Sequence, residues 1–209
     1  MSTGRFISFE GIEGVGKSTQ LALLGESLAR AGREVVTTRE PGGTPLAERI
    51  RALVLHDRSE PMPVAGELLL MFAARAVHTE NLIRPALARG AWVLCDRYAD
   101  ATYAYQGGGR GIPDAELAPL ATLAQRGLEP DLTLLLDAPV AGALARARER
   151  AGAADRIEGE TAAFFERVRA RYLERAAAAT GRVRVIDATA SIERVADEVS
   201  RAVDRLGAA

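Results

Sequence analysis

Lysine is almost absent from this chain of 209 residues: of 27 basic side chains only Lys17 is lysine, and the rest are arginine. Cysteine is as scarce. The single Cys95 excludes an internal disulfide, and its place in an apolar run suits a reducing cytosol. No stretch approaches the roughly 18 apolar residues of a membrane span, so no membrane partner is expected. The opening residues, MSTGRFISFE, hold no long apolar segment to act as a signal h-region, and the expected location is cytoplasmic. An excess of one charge is also missing. With 27 bases against 28 acids the formal net charge is −1, which removes the protein-wide field that nucleic-acid binding draws on. No nucleic-acid partner is expected, and any anion site must be a local cluster.

Internal repeats and low-complexity linkers are missing as well. A chain of this length buries roughly 70% of its unfolded surface, enough for one core and too little for two, so residues 1–209 read as a single domain. What is present is an alternation. Phe6 to Phe9, Val35 to Thr38, Trp92 to Cys95, Leu132 to Leu136 and Val183 to Ile186 are short apolar or β-branched runs, the pattern of buried parallel strands. Between them lie helical spacings: Leu21, Leu24 and Leu28 with Gly32 as a stop; Leu46, Ile50 and Leu53; Glu67 to Val77; Leu82 to Arg89; Asp114 to Arg126; a helix from near Thr161 to Ala179; and Ile192 to Leu206. Strand and helix alternating to the end imply right-handed crossovers and a five-stranded parallel sheet with helices on both faces. Glycines cluster at Gly107, Gly108, Gly109 and Gly111. The segment from about Arg146 to Glu160 is charged and poor in large apolar side chains, and reads as a mobile lid.

The surviving lysine sits in Gly11-Ile12-Glu13-Gly14-Val15-Gly16-Lys17-Ser18, followed by Thr19, which fits G-x-x-x-x-G-K-[ST] between an apolar strand and a helical pattern. Chance would produce such a match on the order of 1% of the time at this length, so the motif carries weight. Its physics is coherent: glycines let backbone N–H groups wrap a phosphate, the helix N-terminus adds positive potential, the ammonium reaches the outer phosphates, and Ser18 can ligate Mg²⁺. ATP and Mg²⁺ are the expected cofactors. Asp96 ends the third strand at the carboxyl edge, where an acid can hold the metal or its waters, and Arg97 beside it is an anion ligand. Asp137, ending the fourth strand, is a rival by the same rule. Further arginines stand at Arg39, Arg51 and Arg75, and Arg146, Arg148, Arg150 and Arg156 lie in or beside the lid. A charged flap closing over a nucleotide fits phosphoryl transfer. A guanine-reading Asn-Lys-x-Asp motif cannot exist here, because the one lysine is already used.

These motifs, with Thr38-Arg-Glu-Pro-Gly-Gly-Thr44, Phe72-Ala-Ala-Arg75, Asp96-Arg97-Tyr98, Ala104-Tyr-Gln-Gly-Gly-Gly-Arg-Gly111, Pro130-Asp-Leu-Thr-Leu134 and Asp155-Arg156-Ile-Glu158, stand in the order seen in bacterial thymidylate kinases. From about residue 5 to residue 190 the chain resembles that family. The resemblance implies a P-loop kinase fold and transfer of the γ-phosphoryl group of Mg-ATP to dTMP, with Lys17 and the loop on the ATP phosphates and Ser18 on Mg²⁺. It implies Glu13 at the deoxyribose 3′-hydroxyl, Arg51 and Arg97 on the acceptor phosphate, and Phe72 stacked near thymine. Arg75 would hydrogen-bond the base carbonyl edge, and Thr102, Tyr105 and Gln106 would complete the pocket. Burial preference alone also allows Phe72 to be a core aromatic, with Met71 at the position some relatives use for stacking. Val15 stands where other members carry a basic loop residue, so the lid would supply the catalytic arginine, first Arg150 and then Arg156, with Arg148 a neighbouring alternative. The resemblance further implies a homodimer. The alternative activity is that of a P-loop kinase for another nucleoside monophosphate or a small metabolite.

Overall fold

A computed structural model describes residues 4–57, 59–149 and 155–207. Five strands, β1 (Arg5–Glu10), β2 (Val35–Arg39), β3 (Trp92–Asp96), β4 (Leu132–Asp137) and β5 (Val183–Asp187), form one parallel sheet in the order β2-β3-β1-β4-β5. Each of the five apolar runs became a strand, extended by one or two residues. The sheet has helices on both faces, and its side chains sort accordingly. On β3, Trp92 and Leu94 enter one core cluster with Ile7, Phe9 and Leu24, whereas Val93 and Cys95 enter another with Phe6, Ile83 and Tyr98. Two-residue alternation is the reason: successive side chains of a strand point to opposite faces. Fully buried side chains such as Leu94 and Leu134 each contribute roughly 1.5–3 kcal/mol of burial.

The helices are α1 (Lys17–Arg30), α2 (Pro45–His56), α3 (Val64–His78), α4 (Arg84–Ala88), α5 (Ala99–Thr102), α6 (Asp114–Gln125), α7 (Val140–Arg148), α8 (Ala162–Ala178) and α9 (Ile192–Gly207). On α9, Val195, Val199 and Val203 repeat at i, i+4, i+8 and are all buried. Two places depart from the sequence reading. The helices expected over Glu67 to Val77 and Leu82 to Arg89 are one continuous rod, because a π-helical turn over Thr79–Ile83 joins α3 to α4. Pro85, which has no N–H to donate, sits in the first turn of α4, where a wider turn just before it absorbs the break in the ladder. The second departure is the glycine cluster, of which Gly107, Gly108 and Gly109 lie in another π-helical turn, Tyr103–Gly109, continuing α5. There α8 comes so close that a Cβ on Gly108 would stand 2.6 Å from Arg171 Cβ, and one on Gly109 2.5 Å from the Phe164 ring. The glycines serve contact between helices.

The lid boundary also shifts. Arg146 and Arg148 belong to the last turn of α7, and the end at residues 155–160 is a packed turn in which Asp155 Oδ1 accepts from the amides of Ile157 and Glu158, both at 2.8 Å. Ile157 is buried in the main core. Sheet order has the main functional consequence. β1 is central, with β3 on one side and β4 on the other, so the loop leaving β1 emerges at the point where chain direction across the sheet reverses. Register sets Phe9 opposite Asp96 and Arg39 opposite Asp96, so Asp96 ends β3 beside the end of β1.

Candidate active site

From Glu10 the chain turns through Gly11 to Gly16 and enters α1 at Lys17, with no side chain capping the helix N-terminus. Its first amides are therefore available to an anion. Gly14, at φ +76°, cannot be replaced in this shape, since a Cβ would fall 1.8 Å from the Ala143 carbonyl oxygen on α7. Lys17 is buried and folds back over the loop, its Nζ donating to the carbonyls of Gly11 at 3.0 Å and Ile12 at 2.8 Å. Burial, then the nearby Arg97 charge, lower its pKa to about 8, against the opposing pull of Asp96, Glu13 and Glu10. The ammonium lacks a full counter-charge, as a group awaiting an anion would.

Ser18 Oγ donates to Asp96 Oδ2 at 3.3 Å, while Asp96 Oδ1 is buried with no hydrogen-bond partner. A hydroxyl and a carboxylate oxygen that accepts no hydrogen bond, with Arg97 Nη1 3.9 Å away as its ion-pair neighbour, fit a hydrated Mg²⁺, whose other ligands are phosphate and water oxygens. No cluster of three or more His, Cys, Asp or Glu able to hold a metal occurs among the described residues. The rival Asp137 is engaged elsewhere, accepting from Arg169 Nε at 2.7 Å and Nη2 at 2.8 Å.

Arg97 follows Asp96 with a left-handed backbone, φ 70°, which costs energy in any residue with a Cβ. Two bonds hold it: its own amide donates to the Phe9 carbonyl at 2.9 Å, and the amide of Tyr98 donates to Glu10 Oε1 at 2.7 Å. Sequence reasoning passed over Glu10, whose only signal is an acid at the end of an apolar strand. Burial first, then the Asp100 charge, raise its pKa to about 7 against hydrogen bonds from Tyr98 and Tyr172. The turn aims Arg97 so that Nη2 reaches Glu13 Oε1 at 2.7 Å and the Tyr105 hydroxyl at 2.8 Å. Tyr105 in turn donates to Glu13 Oε2 at 2.7 Å; burial pushes its hydroxyl well above the usual range, so it remains a donor. Arg51, on α2, donates to the Pro41 carbonyl at 2.9 Å, and burial followed by the Arg39 charge lowers its pKa.

Two cavities meet at Glu13 and Arg97. The first, about 130 Å³, is lined by Glu13, Gly14, Gly16, Lys17, Ser18, Thr19, Arg51, Asp96, Arg97, Asp155 and Glu158. It gathers the loop and both arginines expected on the acceptor phosphate, Arg51 and Arg97. The second, about 50 Å³, runs over Glu13, Glu40, Arg51, Met71, Arg97, Ala101, Tyr105 and Ile157. Attached to its lining, by a bond to Glu40 or as chain neighbours of Ala101 and Tyr105, are buried polar groups with atoms to spare. Arg75 is 2% exposed; its Nε donates to Glu40 Oε2 at 2.7 Å and its Nη2 to the Tyr98 carbonyl at 2.9 Å, while Nη1 has no partner. Thr102 Oγ1 and Gln106 Oε1 are likewise buried and unpartnered. His78, fully buried, carries the line onward, with Nδ1 3.0 Å from Glu40 Oε1 and Nε2 2.7 Å from Thr38 Oγ1.

Other expected site residues are not brought into these cavities. Phe72 packs with Leu68, Leu117, Ala121 and Ala124, and Met71 faces the second cavity. Neighbouring helix residues diverge by about 100°, so the two cannot face the same way. Arg156 is turned from the phosphate loop: its Nε donates to the Val54 carbonyl at 2.9 Å, and Nη1 pairs with Glu67 Oε2 at 2.8 Å. Arg150 lies outside the described residues. The α7 arginine that touches the loop is Arg146, whose Nε donates to the Gly14 carbonyl at 2.9 Å. Its signal in the sequence was membership of the lid's arginine cluster, with no spacing rule to single it out.

Comparison with known proteins agrees with this geometry. A thymidylate kinase family model matches residues 9–199. The chain is 58% identical over 196 residues to a thymidylate kinase of Chromohalobacter salexigens, covering 93% of this chain and 92% of that protein. It is 52% identical over 206 residues to a thymidylate kinase of Alcanivorax borkumensis, covering 99% of each. The crystal structure of thymidylate kinase from Ehrlichia chaffeensis superposes with a TM-score of 0.78 at 34% identity, covering 96% of this chain and 98% of that one. With the motifs in order along the sheet's carboxyl edge and these matches spanning nearly the whole chain, the chain belongs to the thymidylate kinase family.

Proposed function

We infer that this chain transfers the γ-phosphoryl group of ATP to dTMP, giving dTDP and ADP. The observation that carries the reading is the pair of cavities joined at Glu13 and Arg97, one lined by Lys17, Ser18, Arg51 and Asp96, the other backed by spare hydrogen-bonding atoms of Arg75, Thr102 and Gln106. A monophosphate bridging them would lay its phosphate against Arg51 and Arg97, its sugar at Glu13 and its base toward α3. Two guanidinium forks suit a dianion. An acceptor phosphate oxygen attacks the γ-phosphorus in line as the bond to the β-phosphate oxygen breaks, and that oxygen leaves with ADP. Near pH 7 the acceptor is already largely dianionic, its second pKa being about 6, so no general base is required. Lys17 swings from the Gly11 and Ile12 carbonyls to the outer phosphates, and the lid, with Arg150, excludes water and neutralises the transition state. Ser18 and Asp96 would hold Mg²⁺, which when bound screens the phosphate charge.

Homodimerisation is part of the proposal. Leu46 and Leu53 on α2, Leu69 on α3 and Leu123 on α6 are exposed apolar side chains on neighbouring helices, Leu123 by 75%, and a second copy would cover them. The buried free Cys95 suits a cytoplasmic location; no helix among the described residues is long and apolar enough to cross a membrane. The deciding experiment is a panel of nucleoside monophosphates offered with Mg-ATP and scored by ADP release. A strong preference for dTMP is expected; equal or better turnover of another monophosphate would overturn the substrate assignment.

A further inference from the structure

A buried carboxylate, Glu67, shares α3 with Met71, which lines the second cavity. Glu67 is 1% exposed and stands on α3 one and two turns before Met71 and Arg75, so the three share a face. Its Oε1 accepts from Gln106 Nε2 at 2.7 Å, and its Oε2 pairs with Arg156 Nη1 at 2.8 Å and Arg110 Nη2 at 3.2 Å. Arg110 also pairs with Glu160. Burial alone would raise the pKa of Glu67. The Gln106 hydrogen bond and the Arg110 and Arg156 charges outweigh it and hold the carboxyl below its ordinary range.

An ionised carboxylate can only accept, so the Gln106 amide must turn its NH₂ toward Glu67. Its carbonyl oxygen is then the end left over, and that Oε1 is buried without a partner. Gln106 is fully buried beside Tyr105, which lines the cavity, so the polarity of this amide matters to whatever base enters. An acceptor suits a pyrimidine that carries hydrogen on ring N3, as thymine does, and opposes one whose N3 is itself an acceptor, as in cytosine. We propose that Glu67 is a positioning residue for substrate choice: it locks the amide of Gln106 with the oxygen toward the base, while Arg110 and Arg156 pair with its other oxygen and hold it in place. The proposal rests on the reading that the thymine of dTMP occupies this cavity. Arg156 thereby has a task away from the phosphates.

The test compares kcat/KM for dTMP and for 5-methyl-dCMP, an isostere of dTMP whose ring N3 accepts. In Glu67→Gln the new amide can donate or accept, and Gln106 is released to turn. The preference for dTMP should fall roughly 10- to 100-fold, mainly through KM for the monophosphate, with KM for ATP within about twofold of the parent. Gln106→Ala should lower the preference similarly, and the double variant should fall no further. The contribution of Arg75 is common to all variants and cancels. Glu67→Asp, which keeps the charge but draws the oxygens back, gives the same expected direction should Glu67→Gln not fold. Equal losses on both substrates, or an unchanged preference in Glu67→Gln while Gln106→Ala collapses it, would overturn the role of Glu67. An unchanged preference in Gln106→Ala would instead remove Gln106 from the base site and overturn the reading beneath.

Discussion

The two halves of the active site are built differently. The phosphate half is built around one segment: Gly11 to Thr19 form one loop and one helix start, Asp96 and Arg97 join them through a neighbouring strand, and Arg51 is added from α2. The proposed base half is assembled from distant elements, with Glu40 after β2, Arg75 and His78 on α3, and Gln106 in a π-helical turn, each fixed by a buried hydrogen bond. Phosphate is gripped by backbone geometry and charge, which a short segment can supply. A base is told apart by single donors and acceptors, whose placement depends on everything packed around them.

That contrast can be broken from either side. The largest effect is expected in the phosphate half: Arg150→Ala should cut turnover ~10³–10⁵-fold with unaltered thermal unfolding, and a normal rate would move the catalytic arginine elsewhere in the lid. Lys17→Ala should follow, losing roughly 10³-fold or more in turnover while circular dichroism is unchanged. Near-normal turnover there would sink the loop assignment. In the base half, Arg75→Ala should raise KM for dTMP by about 10- to 150-fold, the worth of a charged buried hydrogen bond, and leave KM for ATP nearly as it was. Equal weakening of both substrates would place Arg75 outside the acceptor site.

Two smaller effects involve protons. Lys17 titrates at about 8 in the free protein, and phosphate charge must raise it, so ATP binding near pH 8 should take up a fraction of a proton. Calorimetry in buffers of different ionisation enthalpy would show it; proton release would contradict it. Glu10 has its folded pKa raised from 4.5 to about 7, so its contribution to stability is full below 4.5 and is lost as pH rises through 7. Glu10→Gln should therefore gain melting temperature relative to the parent as pH goes from 5 to 8. A constant difference would show that Glu10 does not titrate in this window.

Strand positions were legible because a buried parallel strand is a short apolar run whatever surrounds it, and the phosphate loop because its glycines and lysine act within eight residues. The two π-helical turns were not legible, since no side-chain periodicity marks an i to i+5 ladder. Met71 against Phe72 shows a finer limit. Both are apolar and adjacent, and only the packing of α3 against α6 decides which one faces the second cavity. Arg156 shows the same for charge. From sequence it is one lid arginine among four, and a partner 89 positions away, Glu67, takes it from the phosphates.

By itself, then, the amino-acid sequence determined the sheet, the nucleotide loop and the family, because those rest on local backbone preferences and on motifs whose chemistry acts within a few residues. The tertiary structure alone decided that Asp137 is taken up by Arg169, that Arg156 is held by Glu67, and that the Gln106 amide keeps its oxygen without a partner. Each of those outcomes is settled by a hydrogen bond or ion pair between residues far apart in the chain. A buried polar atom left without a partner is costly, and such atoms are the ones a bound ligand can satisfy.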